Sequence, residues 1–279
     1  MNSPVPSTRH HLRLSPQRQI TLLLVGTGAL LAAFFRVPDA LSHQGIGVDN
    51  LTDSFRSGVV GLWRSGGREF PGELASTVEF WFRFHLVKAS VAALLLGAVV
   101  ALGVALWRQS RRPADERPRR LLLVPSAVLV ALLAPFALVA LVANVQGTIA
   151  PFASLLPHLT GGRADGELAA TLTEIRQELA GHPAGPHSPA LSAMISDLAV
   201  YHAAVAVMAA LLAVALIGVG VALWRQHRVT PGNRSKRGLK AGMTASAFMA
   251  CAVLVVALAN TSTATHSPEA LAGLFNGSW

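Results

Sequence analysis

The chain has a single cysteine, Cys251, and it falls inside an apolar stretch. A lone thiol in that setting excludes a disulfide framework and a CxxC redox or zinc site, so loops outside the membrane must be held by packing. Charged residues make up only 13% of the chain, and no Asp or Glu interrupts any of its long apolar runs. Ion-coupled transport and proton relay use an ionisable group at membrane depth, so this pattern counts against both. A Walker loop, HExxH and GxSxG are missing as well, and no nucleophile and base are paired at a useful spacing. Lysine occurs only at Lys88, Lys236 and Lys240, while arginine and alanine are abundant, the bias of a GC-rich bacterial genome.

What the chain does have is apolar sequence, at 52% of residues, with a mean hydropathy of +0.48. These residues fall in blocks rather than amphipathic periods, which makes the bilayer their solvent. One block, FHLVKASVAALLLGAVVALGVALWR at 84–108, returns as YHAAVAVMAALLAVALIGVGVALWR at 201–225. His85 pairs with His202, Gly103 with Gly220, and Trp107-Arg108 with Trp224-Arg225. Each copy is long enough to span, and each is followed by a basic linker and a second apolar run. The chain therefore reads as all-α, a polytopic bundle of one lead transmembrane helix and two tandem hairpins, five spans in all. Both hairpins enter and leave on one side, so the repeats are parallel, related by an axis along the membrane normal.

In order, residues 1–18 read as a disordered cytoplasmic tail, and 19–35 as the first transmembrane helix. The competing reading of that helix is a signal peptide cleaved after Ala40-Leu41-Ser42, but Arg36 and Pro38 suit an uncleaved anchor better. Residues 36–83 form an outer loop, glycine-rich and then helical after Pro71, and 84–144 the first hairpin. Residues 145–199 form a second outer loop containing GELAATLTEIRQELAG, where Leu168, Leu172, Ile175 and Leu179 keep helical spacing. That stripe is expected to pack within the chain. Residues 200–260 are the second hairpin and 261–279 an outer tail, with a brief helix expected after Ser267-Pro268. Pro71-Gly72-Glu73 and Ser188-Pro189 begin helices with no breaker before the following span, so both start outside the membrane. Pro135 is expected to kink the third span. Asn144 and Asn260 follow the outward-going spans and read as helix C-caps.

A net charge of +9 and a pI near 11.3 do not point to nucleic acid, because the basic residues sort by side of the membrane. Arg9, Arg13 and Arg18 precede the first span, Arg108 to Arg120 fill one short loop, and Arg225 to Lys240 another. By the positive-inside rule these segments are cytoplasmic, which places the N-terminus inside, the C-terminus outside and the protein in the bacterial plasma membrane. Trp107, Arg108, Trp224 and Arg225 are then interface anchors.

His85 and His202 are the residues that chemistry would use, since two imidazoles on facing helices suit a haem iron or another metal. About 33 Å of helix separates His85 from Trp107, so histidine and tryptophan fall at opposite interfaces. With Phe84 and Tyr201 beside them, the histidines fit an outer aromatic and polar belt better than a ligand set. The outer histidines His43, His158, His182, His187 and His266 match no ligand spacing. An acid and base set of Glu73 or Glu79 with His85 along one helix is generic. The expected function is a non-enzymatic scaffold or accessory subunit that meets a protein partner through its outer loops. The alternatives are a haem- or metal-binding redox protein using His85 and His202, and a small-solute transporter without ion coupling.

Overall fold

The computed structural model describes residues 15–42, 45–110, 120–164, 166–181 and 186–277, without the side chains of 120–123 and 234–235. Every regular element among them is a helix: α1 (Pro16–Ser42), α2 (Leu51–Ser65), α3 (Gly72–Ser110), α4 (Arg120–Ile149), α5 (Pro151–Leu155), α6 (Pro157–Thr160), α7 (Gly166–Gly181), α8 (Pro189–Val229), α9 (Asn233–Thr265) and α10 (Ser267–Asn276). Of these α1, α3, α4, α8 and α9 are long and apolar enough to cross a bilayer. The fold is all-α, with the span content of a multi-pass membrane protein. Most of the first basic loop, at 111–119, lies outside the described residues, as do residues 1–14 of the tail, His43 and His182.

Helices α3 and α8 have 39 and 41 residues. At 1.5 Å per residue each is about 60 Å long, roughly twice the hydrocarbon thickness, so about half of each stands in water. Their starts follow local chemistry. Pro71 precedes α3, which carries Glu73 in its first turn, and the Ser188 side chain accepts from Leu191 N at 3.4 Å with Pro189 behind it. Helix α1 departs from expectation: it already includes Pro16 to Arg18 and runs through Arg36 and Pro38 to Ser42.

The chain forms two compact units. The first contains α1 as far as Val37, α3 from Lys88 and α4 as far as Leu141. Three small apolar clusters join its helices: Ile20 with Leu102 and Leu106, Phe34 with Ala92 and Ala140, and Leu95 with Val99 and Ala137. Phe34 meets Phe136 edge to face at 5.9 Å, and the Lys88 ammonium lies 4.7 Å from the Phe34 ring centre. That cation–π contact gives the one lysine of the span an aromatic partner. Gly97 has open space where a side chain would go. Gly103 lies in the hairpin seam of this unit, where an added Cβ would meet Val130 at 3.4 Å.

The second unit holds the α8–α9 hairpin and a helical cap built from α2, α5, α6, α7 and α10 with the first turns of α3 and α8. The cap draws on three stretches far apart in sequence, yet they share one core. Leu51, Phe55 and Leu62 of α2, Phe152 and Leu155 of α5, Leu172 and Ile175 of α7, and Leu271 of α10 are all buried in it. Each such side chain contributes roughly 1.5–3 kcal/mol on burial, the largest favourable term a disulfide-free cap has. The stripe on α7 faces this core, with Leu172, Ile175 and Leu179 buried, so it packs within the chain as its spacing suggests.

Polar ties close the cap. Trp63 Nε1 donates to Glu174 at 2.7 Å, Arg176 Nε donates to Phe275 O at 3.0 Å, and Ala153 N donates to Asp197 Oδ2 at 2.7 Å. The last bond lets α8 satisfy an open N–H in the first turn of α5. Helix α2 went unread because glycines interrupt its sequence. Gly58 is required there: a Cβ would sit 2.9 Å from Leu74 Cβ and 3.0 Å from its Cα.

His158 shows how closely the cap is fitted. Its Nδ1 meets Thr52 Oγ1 at 2.8 Å, and Arg56 Nε donates to its carbonyl at 3.0 Å. Burial, helped by the Arg56 charge, holds the imidazole below its ordinary value. The folded chain then binds this proton less readily than the unfolded chain, so stability is complete above the ordinary value and falls as pH drops below about 6.5. Thermal unfolding in detergent from pH 8 to 5 should therefore show a steeper acid-side loss for the wild type than for His158→Asn. Equal slopes would mean that His158 titrates freely in the fold.

Candidate functional site

His85 sits on α3 and His202 on α8, each where its long helix leaves the cap. His85 Nδ1 lies 2.9 Å from Asn144 Oδ1 on α4, and His202 Nδ1 lies 2.9 Å from Asn260 Oδ1 on α9. Asn144 and Asn260 are not C-caps, because α4 continues to Ile149 and α9 to Thr265, more than a turn beyond. Both helices carry on past the asparagine, α4 even through Gly147. Thr148 and Thr261 return their hydroxyls to the preceding turn, each at 2.8 Å. An asparagine inside a helix points its amide sideways, and here it finds an imidazole.

The Asn260 amide fixes the direction of the bond. Its Nδ2 donates to Val256 O at 2.9 Å, so Oδ1 is turned to His202 and Nδ1–H of the imidazole donates to it. The same Nδ1 to Oδ1 approach at His85 gives the same tautomer. In both rings the lone pair is then on Nε2, an atom with almost no exposed surface. The two centres are neighbours, since Gln146 Nε2 donates to Tyr201 O at 3.4 Å.

Their surroundings differ. The His85 ring lies against the backbone of α4 at Gly147, where an added Cβ would come within 2.7 Å of its Cγ and Cδ2. Trp81 closes it at 4.6 Å and 90°, and is itself held by a 2.7 Å bond from Nε1 to Ser154 Oγ. In the second hairpin the position aligned with Gly147 is Thr263, and His202 borders an open cleft of about 610 Å³. Asn260, Thr263, His266 and Glu269 also line it. His202 is only 8% exposed, so it forms the inner end of that cleft.

The other candidates separate. Glu73 accepts from Ser57 Oγ at 3.1 Å and Glu79 from Arg83 Nε at 2.6 Å, so neither carboxylate is turned to His85. At about 100° per residue, positions 73, 79 and 85 fall on different sides of α3, which the generic acid and base spacing overlooked. No group of three His, Cys, Asp or Glu among the described residues is placed to hold a metal ion. Trp107 and Trp224 are 55% and 43% exposed, with Arg108 and Arg225 exposed beside them at the far ends of the same long helices. Sequence reasoning missed the histidine to asparagine pairing. The signal was present as the recurrence of Ala-Asn after each outward-going span.

No protein-family model, curated protein or solved structure matches the chain. The site is therefore read from its own geometry. Gly147→Ala should push the His85 ring off α4 and cost about 1–3 kcal/mol, as overpacking does. A thermal melt in detergent would read this as a lowered midpoint, and an unchanged midpoint would show that the contact yields freely.

Proposed function

We propose that this protein is a non-enzymatic scaffold or accessory subunit of the bacterial plasma membrane, with its N-terminus in the cytoplasm and its helical cap outside, where it binds a protein partner. The observation that carries this reading is the cap itself. Three stretches separated by membrane spans fold onto one apolar core, and two of its helices run unbroken into apolar spans. Such a body holds a surface at fixed height and orientation above the bilayer, which is what assembly of a complex needs. The tandem-hairpin repeat supports it from the sequence side, because the aligned histidines make aligned contacts at the foot of the cap. A photo-crosslinking residue placed at exposed Asp53 or Gln177 should yield one covalent adduct of defined mass in native membranes. Adducts from lipid-facing Val214 but none from the cap positions would overturn the proposal.

One observation favours a second reading, a haem or metal centre. Each imidazole gives its Nδ1–H to an asparagine, an outer hydrogen bond of the kind that metal-bound histidines commonly make. Protein purified from its native membrane would then carry a stoichiometric haem band or metal that a His85→Ala, His202→Ala variant loses. A colourless, metal-free protein would remove this reading and leave the pairs as structural pins.

A further inference from the structure

At the end of the α8–α9 hairpin remote from the cap lies an apolar groove of about 310 Å³, bordered by Leu216, Gly220, Trp224, Met243 and Ala247. A groove of about 290 Å³ lies at the matching place between α3 and α4, bordered by Gly103, Leu106, Trp107, Ala127 and Val130. Gly103 aligns with Gly220 and Trp107 with Trp224, and Ala127 aligns with Met243 once one residue is deleted from the second copy, so the two hairpins carry a hollow at comparable places. Each is bordered by a glycine and, one turn further along the same helix, by a tryptophan.

The α8–α9 groove also has a charged lip. The Arg228 guanidinium lies 4.1 Å above the Trp224 ring centre, Arg225 is the next residue along from Trp224, and Lys236 and Lys240 open α9. No Asp or Glu occurs between Asp197 and Glu269, so nothing on either helix neutralises this end. A guanidinium stacked on an aromatic face keeps its N–H edge free in orientation to meet a phosphate in two-point fashion. The groove is too small for a partner helix: one helical turn about 10 Å wide and 5.4 Å tall fills roughly 420 Å³. An unbranched hydrocarbon chain fits that limit, and lipid tails are the surrounding medium.

We propose that the α8–α9 groove is a binding site for an anionic phospholipid, with one acyl chain lying over Gly220 against Trp224 and the phosphate held by Arg225 and Arg228. The lipid covers apolar surface that the helix pair leaves open, and the basic lip selects the headgroup. Binding at this end also fixes the depth of the hairpin, since Trp224 and the arginines are held at one level by a molecule that itself resides there.

Native mass spectrometry of the full-length protein, released from detergent with equimolar phosphatidylglycerol and phosphatidylcholine of identical acyl chains, tests this. The wild type should retain phosphatidylglycerol about 30-fold more than phosphatidylcholine, as two cations at the headgroup level would give. Gly220→Leu, which fills the floor, should lose one bound lipid. Gly218→Leu should not, because Gly218 is exposed with no neighbouring atom within 4 Å of an added Cβ. Arg225→Gln with Arg228→Gln should remove the preference for phosphatidylglycerol, and both positions are exposed, so this pair reads out even where Gly220→Leu fails to fold. Equal retention of the two lipids by the wild type, or a preference unchanged in the double arginine variant, would overturn the proposal.

Discussion

A hydrocarbon slab offers no partner for a peptide N–H or C=O, and the rest of this structure follows from that constraint. Each crossing has to be a helix that satisfies its own backbone, and once begun it gains nothing by stopping at the water boundary. Helices α3 and α8 accordingly run on for several turns beyond any bilayer thickness. Their extra turns are the posts on which the cap is built. With one cysteine, in a span, no cross-link is available to hold that cap. Burial of Phe55, Phe152, Leu172 and Leu271 in one core has to do so.

The histidine and asparagine pairs stand where the long helices leave the cap. A polar side chain near an apolar span is costly unless it is paired, and pairing across two helices ties them together at a chosen height. His85 with Asn144 and His202 with Asn260 do this at the foot of the cap, one in each hairpin. What sets them apart is a single position. Gly147 lets α4 close on the first ring, whereas Thr263 occupies the aligned place beside the cleft at the second. The two centres thus share the imidazole-to-asparagine pair and differ in what lies beside it, the α4 backbone and Trp81 at His85 and a cleft-lining threonine at His202.

Much of the fold was legible before any coordinates. Apolar runs bounded by arginines announce spans, Pro71 and Ser188-Pro189 announce helix starts, and the Leu168, Leu172, Ile175, Leu179 spacing announces α7 with its buried face. Helix α2 was not legible, because its glycines read as loop until Leu74 is known to press on Gly58. The candidate site was half legible: the two histidines stood out by recurrence, but their partners are about sixty residues away along the chain. An asparagine after an apolar run looks like a helix end unless the neighbouring helix is visible.

The sequence by itself determined the all-α class, the five apolar spans and where the two longest helices begin. These depend on length, hydropathy and local start signals, all of which act within one stretch of chain. Only the tertiary structure decided that three separate segments share a core, that both asparagines serve histidines instead of helix ends, and that the glycines at 103 and 220 border grooves. Those outcomes depend on which side chains meet across helices, and packing at that range is set by the whole arrangement of neighbours, which no single stretch of the chain contains.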